Sequence, residues 1–349
     1  MKTVWIRADA SSSIGAGHIT RCIALAEELR EAGVSARFIC RKLEGDLVAF
    51  INKHGFVAET ISGDPADWTL LEDASKTCDI ISKYGGKADW VIVDLPENSL
   101  EMDSALRSVT QNILAIDDHA DRKRDCDIIV NPHFFPPAEQ KYKTLTPPDC
   151  VTLAGLRHAL VRSEFRRARQ KGLDKRDNEV KRILVSFGGS DCAGLPDKVI
   201  EALLPLGAKG VEVDMIISSG YRDSKNSASY DGVNIRFHNF VEDMVNITAK
   251  ADIVIGAYGV STAERMLLGA PSIIITISES QVALAKILAE AGYAVYLGSG
   301  HDVTPDKIAS AVNRLKDDPY TLRSISRTIM ERVDGLGARR VVKQMGFEN

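Results

Sequence analysis

The chain lacks the cysteine patterns that build zinc sites and disulfide frameworks. Its six cysteines, Cys22, Cys40, Cys78, Cys126, Cys150 and Cys192, include no C-x-x-C pair and have no histidine at zinc-ligand spacing. Reduced thiols, no metal and no cofactor are expected. An excess of charge of either sign is also missing: 44 Lys plus Arg stand against 48 Asp plus Glu, a formal net charge of -4. Nothing in that balance draws the chain to nucleic acid or to a membrane surface. The longest apolar run, around Ser272 to Ile277, is far too short to span a bilayer, and Met1-Lys2-Thr3 leads into a strand without an apolar signal region. These absences point to a cytoplasmic protein with a small-molecule substrate, no nucleic-acid partner and no membrane insertion; they leave protein partners open.

What the chain has is length and alternation. Its 349 residues, 44% of them hydrophobic, suit two cores better than one. Short apolar runs alternate with helical stretches throughout, the grammar of an α/β protein with parallel sheets. Trp90-Val91-Ile92-Val93-Asp94 and Asn112-Ile113-Leu114-Ala115-Ile116-Asp117-Asp118 read as strands buried on both faces, and their terminal carboxylates fall where such sheets place a ligand. The segment from Pro132 to Pro148, with five prolines, reads as a loop without regular structure. A charged stretch follows Phe165, and the boundary falls near Gly172. The second half then repeats the first: strand Arg182 to Phe187, glycine loop Gly188-Gly189-Ser190-Asp191, helix. The expected division is 1–172, 173–330, and a helical segment 331–349 that packs back on the first domain.

Three strand-to-helix loops are candidates for chemistry. In Gly15-Ala16-Gly17-His18 the glycines allow close backbone approach, and a helix N-terminus would hold His18. That field, with Arg21 one turn on, disfavours imidazolium and predicts a neutral His18 able to take a proton. Alone, the stretch reads equally well as a tight turn with a polar helix start. The second loop, Gly188 to Asp191, can cradle a diphosphate or be an ordinary turn. The third, Tyr258-Gly259-Val260-Ser261-Thr262-Ala263-Glu264, has capping-box spacing between Ser261 and Glu264; the same geometry offers N–H groups to phosphate and a carboxylate to a ribose diol. His54, His158, His238 and His301 read as surface or packing residues.

Taken together and in order, these stretches resemble the UDP-2,4-diacetamido-2,4,6-trideoxy-β-L-altropyranose hydrolases of pseudaminic acid biosynthesis and their spore-coat polysaccharide relatives. The resemblance is made by Arg7-Ala8-Asp9 with Gly15-Ala16-Gly17-His18 and Arg21-Cys22, by Ile116-Asp117-Asp118, and by Ser186-Phe187-Gly188-Gly189-Ser190-Asp191. It continues through Ser261-Thr262-Ala263-Glu264, Glu279-Ser280-Gln281 and Asp334-Gly335-Leu336-Gly337. It implies a two-domain glycosyltransferase-B architecture, two Rossmann-like domains facing across a cleft, similar to the peptidoglycan N-acetylglucosaminyltransferase. His18 would activate water for attack at the anomeric carbon, without metal. Asp9, Gly15, Gly17, Arg21, Asp94, Asp117 and Asp118 would lie toward the sugar. Gly188, Gly189, Ser190, Asp191, Tyr258, Ser261, Thr262, Glu264, Glu279 and Gln281 would hold UDP. Two rivals stand beside hydrolysis: an inverting glycosyltransferase of the same architecture, and a non-catalytic nucleotide-sugar binding protein. The sequence departs from the family where Leu95-Pro96-Glu97-Asn98 replaces His or Tyr residues, where Cys192-Ala193-Gly194 replaces a Pro and an Asn, and where Tyr258 replaces a common glycine.

Overall fold

A computed structural model describes residues 2–63, 68–174, 179–188, 194–205, 210–217, 234–239, 241 and 243–347. The chain divides into two compact units, Met1–Ser163 with Gly335–Asn349, and Glu164–Asp334. The expected boundary residue, Gly172, lies inside a helix running Ser163–Asp174.

In the first unit the strands are β1 (Thr3–Ala8), β2 (Ser35–Arg41), β3 (Val57–Ile61), β4 (Trp90–Asp94), β5 (Ile113–Ile116), β6 (Ile128–Asn131) and β7 (Val151–Ala154). They form a seven-stranded sheet in the order β3-β2-β1-β4-β5-β6-β7, and every pairing is parallel. Alternate residues serve opposite faces, as the period of a strand requires. Val4, Ile6 and Ala8 of β1 pack with helix α1 (Gly17–Glu31) and with Val341 and Val342 of the C-terminal helix Gly337–Gln344. Trp5, Val91 and Val93 pack on the other face with the helices Leu70–Lys83, Leu100–Leu106 and Ala138–Leu145. The C-terminal helix is seated very closely: a Cβ on Gly337 would lie 2.2 Å from the carbonyl oxygen of Ala159.

The helix Ala138–Leu145 overturns the expectation that the proline-rich stretch from Pro132 to Pro148 contains no regular element. Its prolines bracket the helix. Pro137 is the N-cap, where the missing N–H is no loss, and Pro147 and Pro148 follow the last turn.

The second unit repeats the topology. Strands β8 (Arg182–Ser186), β9 (Glu212–Ile216), β10 (Asn234–His238), β11 (Ile253–Gly256), β12 (Ser272–Thr276) and β13 (Val295–Ser299) lie in the order β10-β9-β8-β11-β12-β13, again parallel throughout. Ile183, Val185, Val213, Met215, Ile253 and Ile255 supply the main core. In both sheets the chain starts centrally, builds outward one way, then crosses to build the other way. The reversal lies between β1 and β4 in the first unit and between β8 and β11 in the second, and such reversals open a crevice at the strands' carboxyl ends. Among the described residues, no helix is long and apolar enough to cross a membrane.

Candidate functional site

The crevice of the first unit is occupied by ionisable side chains. The loop from β1 closes on itself before helix α1 starts: the Ser11 carbonyl accepts from the Gly15 N–H at 2.8 Å, and the Ser11 hydroxyl accepts from the Ile14 N–H at 2.9 Å. Gly15 takes a left-handed backbone, φ 81°, which favours glycine there, whereas Gly17 is already the first helical residue. Among the described residues, no side chain caps this helix end. His18 therefore sits in a first turn whose N–H groups remain directed outward.

Adjacent strands deliver its partners. Asp94 ends β4, Asp118 follows β5, and Arg21 and Cys22 rise from the first turns of α1. His18 Nδ1 lies 2.7 Å from Asp94 Oδ1. Arg21 grips Asp94 through both oxygens, Nη2 to Oδ1 at 2.6 Å and Nε to Oδ2 at 2.7 Å, and gives Nη1 to Asp118 Oδ1 at 2.7 Å. The Cys22 thiol donates to Asp94 Oδ2 at 3.4 Å. Burial alone would raise the Asp94 pKa, but Arg21 and His18 outweigh it and bring it down to about 2. Asp118 is held well below the ordinary carboxylate range in the same way, burial being overcome by Arg21 and His133. Burial and the Asp94 charge push the Cys22 thiol upward, so it stays protonated and acts as a donor.

An ionised Asp94 can only accept, which fixes the imidazole tautomer: Nδ1 carries the hydrogen and Nε2 presents a lone pair. Arg21 Nη2 also lies 3.2 Å from Nδ1, but a donor facing a protonated Nδ1 makes no bond, so the carboxylate sets the ring's orientation. The histidine side chain keeps 16% of its surface exposed while Asp94 has none. One ring nitrogen is thus held by a buried anion, in a side chain that keeps part of its surface open to solvent.

The structure thus brings His18, Arg21, Asp94 and Asp118 together. It adds His133, whose Nε2 lies 3.0 Å from Asp118 Oδ1 and which was hidden in the proline-rich stretch. The available signal was its position just beyond the apolar run Ile128–Asn131, equivalent to that of Asp118 after β5.

Two other predicted carboxylates have partners outside this group. Asp9 accepts from Arg7 at 2.6 and 2.9 Å and from the N–H and Nε of Arg41 at 2.7 and 2.6 Å. Arg7 also binds Asp73, so the group pins the helix Leu70–Lys83 to the sheet. Asp117 accepts from the Tyr142 hydroxyl at 2.6 Å and the Ala120 N–H at 2.9 Å, an arrangement that shapes its own loop.

In the second unit the candidate loops leave three neighbouring strands at their carboxyl ends. Gly188, left-handed at φ 87°, follows β8; Tyr258 to Glu264 follow β11; Glu279 and Gln281 follow β12. Gly189, Ser190 and Asp191 lie outside the described residues. Gln281 Oε1 accepts from the Ile277 N–H at 3.0 Å, closing its loop, and Glu279 is exposed in the first turn of the helix Glu279–Glu290. The predicted Ser261–Glu264 capping box does not form. The helix, α9 (Val260–Leu267), begins one residue before Ser261 with Gly259 as N-cap, and the Thr262 hydroxyl accepts from the Gly259 N–H at 3.0 Å. Ser261 is exposed, whereas Tyr258, Thr262 and Glu264 are buried.

Residues 183–336 match the glycosyltransferase family 28 C-terminal domain. The chain is 27% identical to an uncharacterised protein of Methanocaldococcus jannaschii, over 78% of this chain but only 55% of that longer relative. It is 26% identical to the UDP-2,4-diacetamido-2,4,6-trideoxy-beta-L-altropyranose hydrolase of Campylobacter jejuni, over 84% of this chain and 98% of that one. It is 24% identical to the spore coat polysaccharide biosynthesis protein SpsG of Bacillus subtilis, over 97% and 96% of the two chains. Among solved structures, Acinetobacter baumannii MurG superposes with a TM-score of 0.68 at 15% identity, covering 99% of each chain. The fold is that of the glycosyltransferase-B proteins, and the homologues include the hydrolase and the spore coat protein named above.

Proposed function

We propose that the protein hydrolyses a UDP-linked 2,4-diacetamido-2,4,6-trideoxyhexose to the free sugar and UDP, as a step toward a nonulosonic acid. The observation that carries this reading is the 2.7 Å contact between His18 Nδ1 and the buried carboxylate of Asp94. It leaves Nε2 as the acceptor for a proton. Water gives that proton to Nε2 as its oxygen bonds to the anomeric carbon, and the bond from that carbon to the phosphate oxygen breaks with inversion. The electron pair leaves on UDP. Asp94 stabilises the imidazolium that forms, and Arg21 keeps Asp94 ionised and in place. A good leaving group needs no strong acid, only stabilised diphosphate charge, a role suited to Gly188 to Asp191, Tyr258, Ser261, Thr262 and the first turn of α9. Glu264 is assigned to the ribose, Glu279 and Gln281 to the nucleotide side, and Asp118 to the sugar. The agreement in length with the Campylobacter hydrolase supports the reading.

An inverting transferase is the second reading, favoured by the match of residues 183–336 to a glycosyltransferase domain. An acceptor-free incubation with UDP-sugars, following UDP and free sugar, separates the two. Release of both is expected; release that requires an acceptor would establish transfer, and saturable binding with no release at all would leave a binding protein. His18→Ala should keep UDP binding and lose about a thousandfold or more of turnover. Near-native turnover by that variant would remove His18 from the role of base.

A further inference from the structure

Arg265 is the second unit's unusual side chain. It is 4% exposed, and it runs back along α9 toward the start of the helix. There its Nη2 donates to the Ala257 carbonyl at 2.6 Å and to the Thr262 hydroxyl oxygen at 2.9 Å, and its Nε to the Ser261 carbonyl at 3.2 Å. Its Nη1 is buried and has no hydrogen-bond partner among the described residues. A Cβ built on Gly256, at the end of β11, would stand 2.9 Å from that Nη1 and 2.2 Å from the Ser186 carbonyl oxygen of β8, so the unpartnered nitrogen lies beneath the crevice between these strands.

Buried guanidinium groups ordinarily meet carboxylates, because an uncompensated cation in the interior is costly. Arg265 makes its hydrogen bonds to carbonyl and hydroxyl oxygens instead. Burial brings its pKa down to about 10, with Glu264 and Tyr258 acting the other way. It remains a cation at neutral pH. Thr262 extends the pattern: its oxygen already accepts from the Gly259 N–H and from Arg265, so its hydroxyl proton is what remains to offer. Among the described residues that proton has no acceptor. A cation with a nitrogen unpartnered among the described residues and a hydroxyl committed to donating therefore accompany the N-terminus of this helix.

We propose that Arg265, acting through Thr262 and the Ala257–Gly259 backbone, is a positioning residue for a diphosphate anion at the start of α9. Arg265 does not touch the ligand; it supplies fixed positive charge from below and locks the donors that do. The identity of the ligand as UDP rests on the proposed function, whereas recognition of a diphosphate does not.

The test is isothermal titration of the full chain with UDP, inorganic pyrophosphate and uridine, for the native protein, Arg265→Met, Arg265→Lys and Thr262→Val. Arg265→Met should weaken UDP and pyrophosphate at least tenfold and leave uridine within twofold, with no loss of thermal stability. Thr262→Val should weaken the same two ligands, and the double variant should lose less than the product of the two single effects. Arg265→Lys, which keeps the charge, covers the case in which the methionine variant fails to fold; it should retain more diphosphate affinity than Thr262→Val. Native-like UDP and pyrophosphate binding by Arg265→Met, or equal weakening of all three ligands, would overturn the proposal. A native chain that binds pyrophosphate through Arg265 but not UDP would sink the proposed substrate and leave this inference standing; one that binds neither would overturn both.

Discussion

The two units share one topology and put opposite electrostatics at the same place in it. Where β1 and β4 part, the first unit stacks titratable groups in a chain, His18–Asp94–Arg21–Asp118–His133, each charge answered by a hydrogen-bonded opposite. Where β8 and β11 part, the second unit has Gly188, Gly259 and hydroxyl side chains above one buried arginine that carbonyl oxygens hold. The first arrangement suits a proton, because it fixes a tautomer and stabilises the charge that proton transfer creates. The second suits an anion brought from outside, because its positive field is in place before any partner arrives. A shared fold therefore predicts where each site lies and not what it does; that difference resides in a handful of side chains at the strand ends.

The comparison breaks most visibly at Asp94. Asp94→Asn keeps the shape of the side chain but removes the charge that selects the Nδ1-protonated tautomer, and an amide can offer its own N–H to the ring instead. Turnover should fall about a thousandfold, as for His18→Ala, while UDP affinity, assigned to the second unit, stays within twofold. Steady-state kinetics with titration of UDP would show this split. Loss of UDP binding in step with turnover would mean that the two functions are not divided between the units as argued.

Buried arginines sharpen the contrast. Arg7 is fully buried and bridges Asp9 and Asp73, themselves 0% and 1% exposed. Arg7→Met would take the shared buried cation from both carboxylates, leaving Asp9 with Arg41 and Asp73 with the Trp68 and Thr77 donors alone, and urea unfolding should show a loss of about 3 kcal/mol. Arg265→Met strands no hydrogen-bonded carboxylate, so stability should be unchanged or raised. Equal losses in the two variants would place Arg265 among ordinary structural arginines.

The same contrast explains what could be read from the chain alone. Asp94 and Asp118 were legible because runs buried on both faces end in them, and His18 because a glycine loop precedes an apolar helix. The same logic does not reach the partners of Asp9 and Asp117, Arg41 from the next strand and Tyr142 from a later helix, which depend on long-range packing. Strand β3 is not legible in the sequence because its residues are mostly half-buried or exposed, which blurs the apolar run. The helix Ala138–Leu145 and His133 lay behind prolines whose place at element boundaries is visible only once those boundaries are known.

The smallest effect concerns the register of α9. Were Ser261 the N-cap, as its spacing to Glu264 suggested, Ser261→Ala would cost about 1 kcal/mol of stability. With the helix starting at Val260, Ser261 occupies its second position, and its hydroxyl makes no hydrogen bond among the described residues. Alanine should then leave stability within about 0.5 kcal/mol, since a serine inside a helix already costs a few tenths relative to alanine. The exposed hydroxyl should matter only to a ligand, so the same variant is expected to weaken UDP about threefold, roughly what one neutral hydrogen bond contributes net. Thermal unfolding and UDP titration on one preparation decide it. A stability loss near 1 kcal/mol would return Ser261 to the cap, moving the start of the helix and with it the donors assigned to the diphosphate.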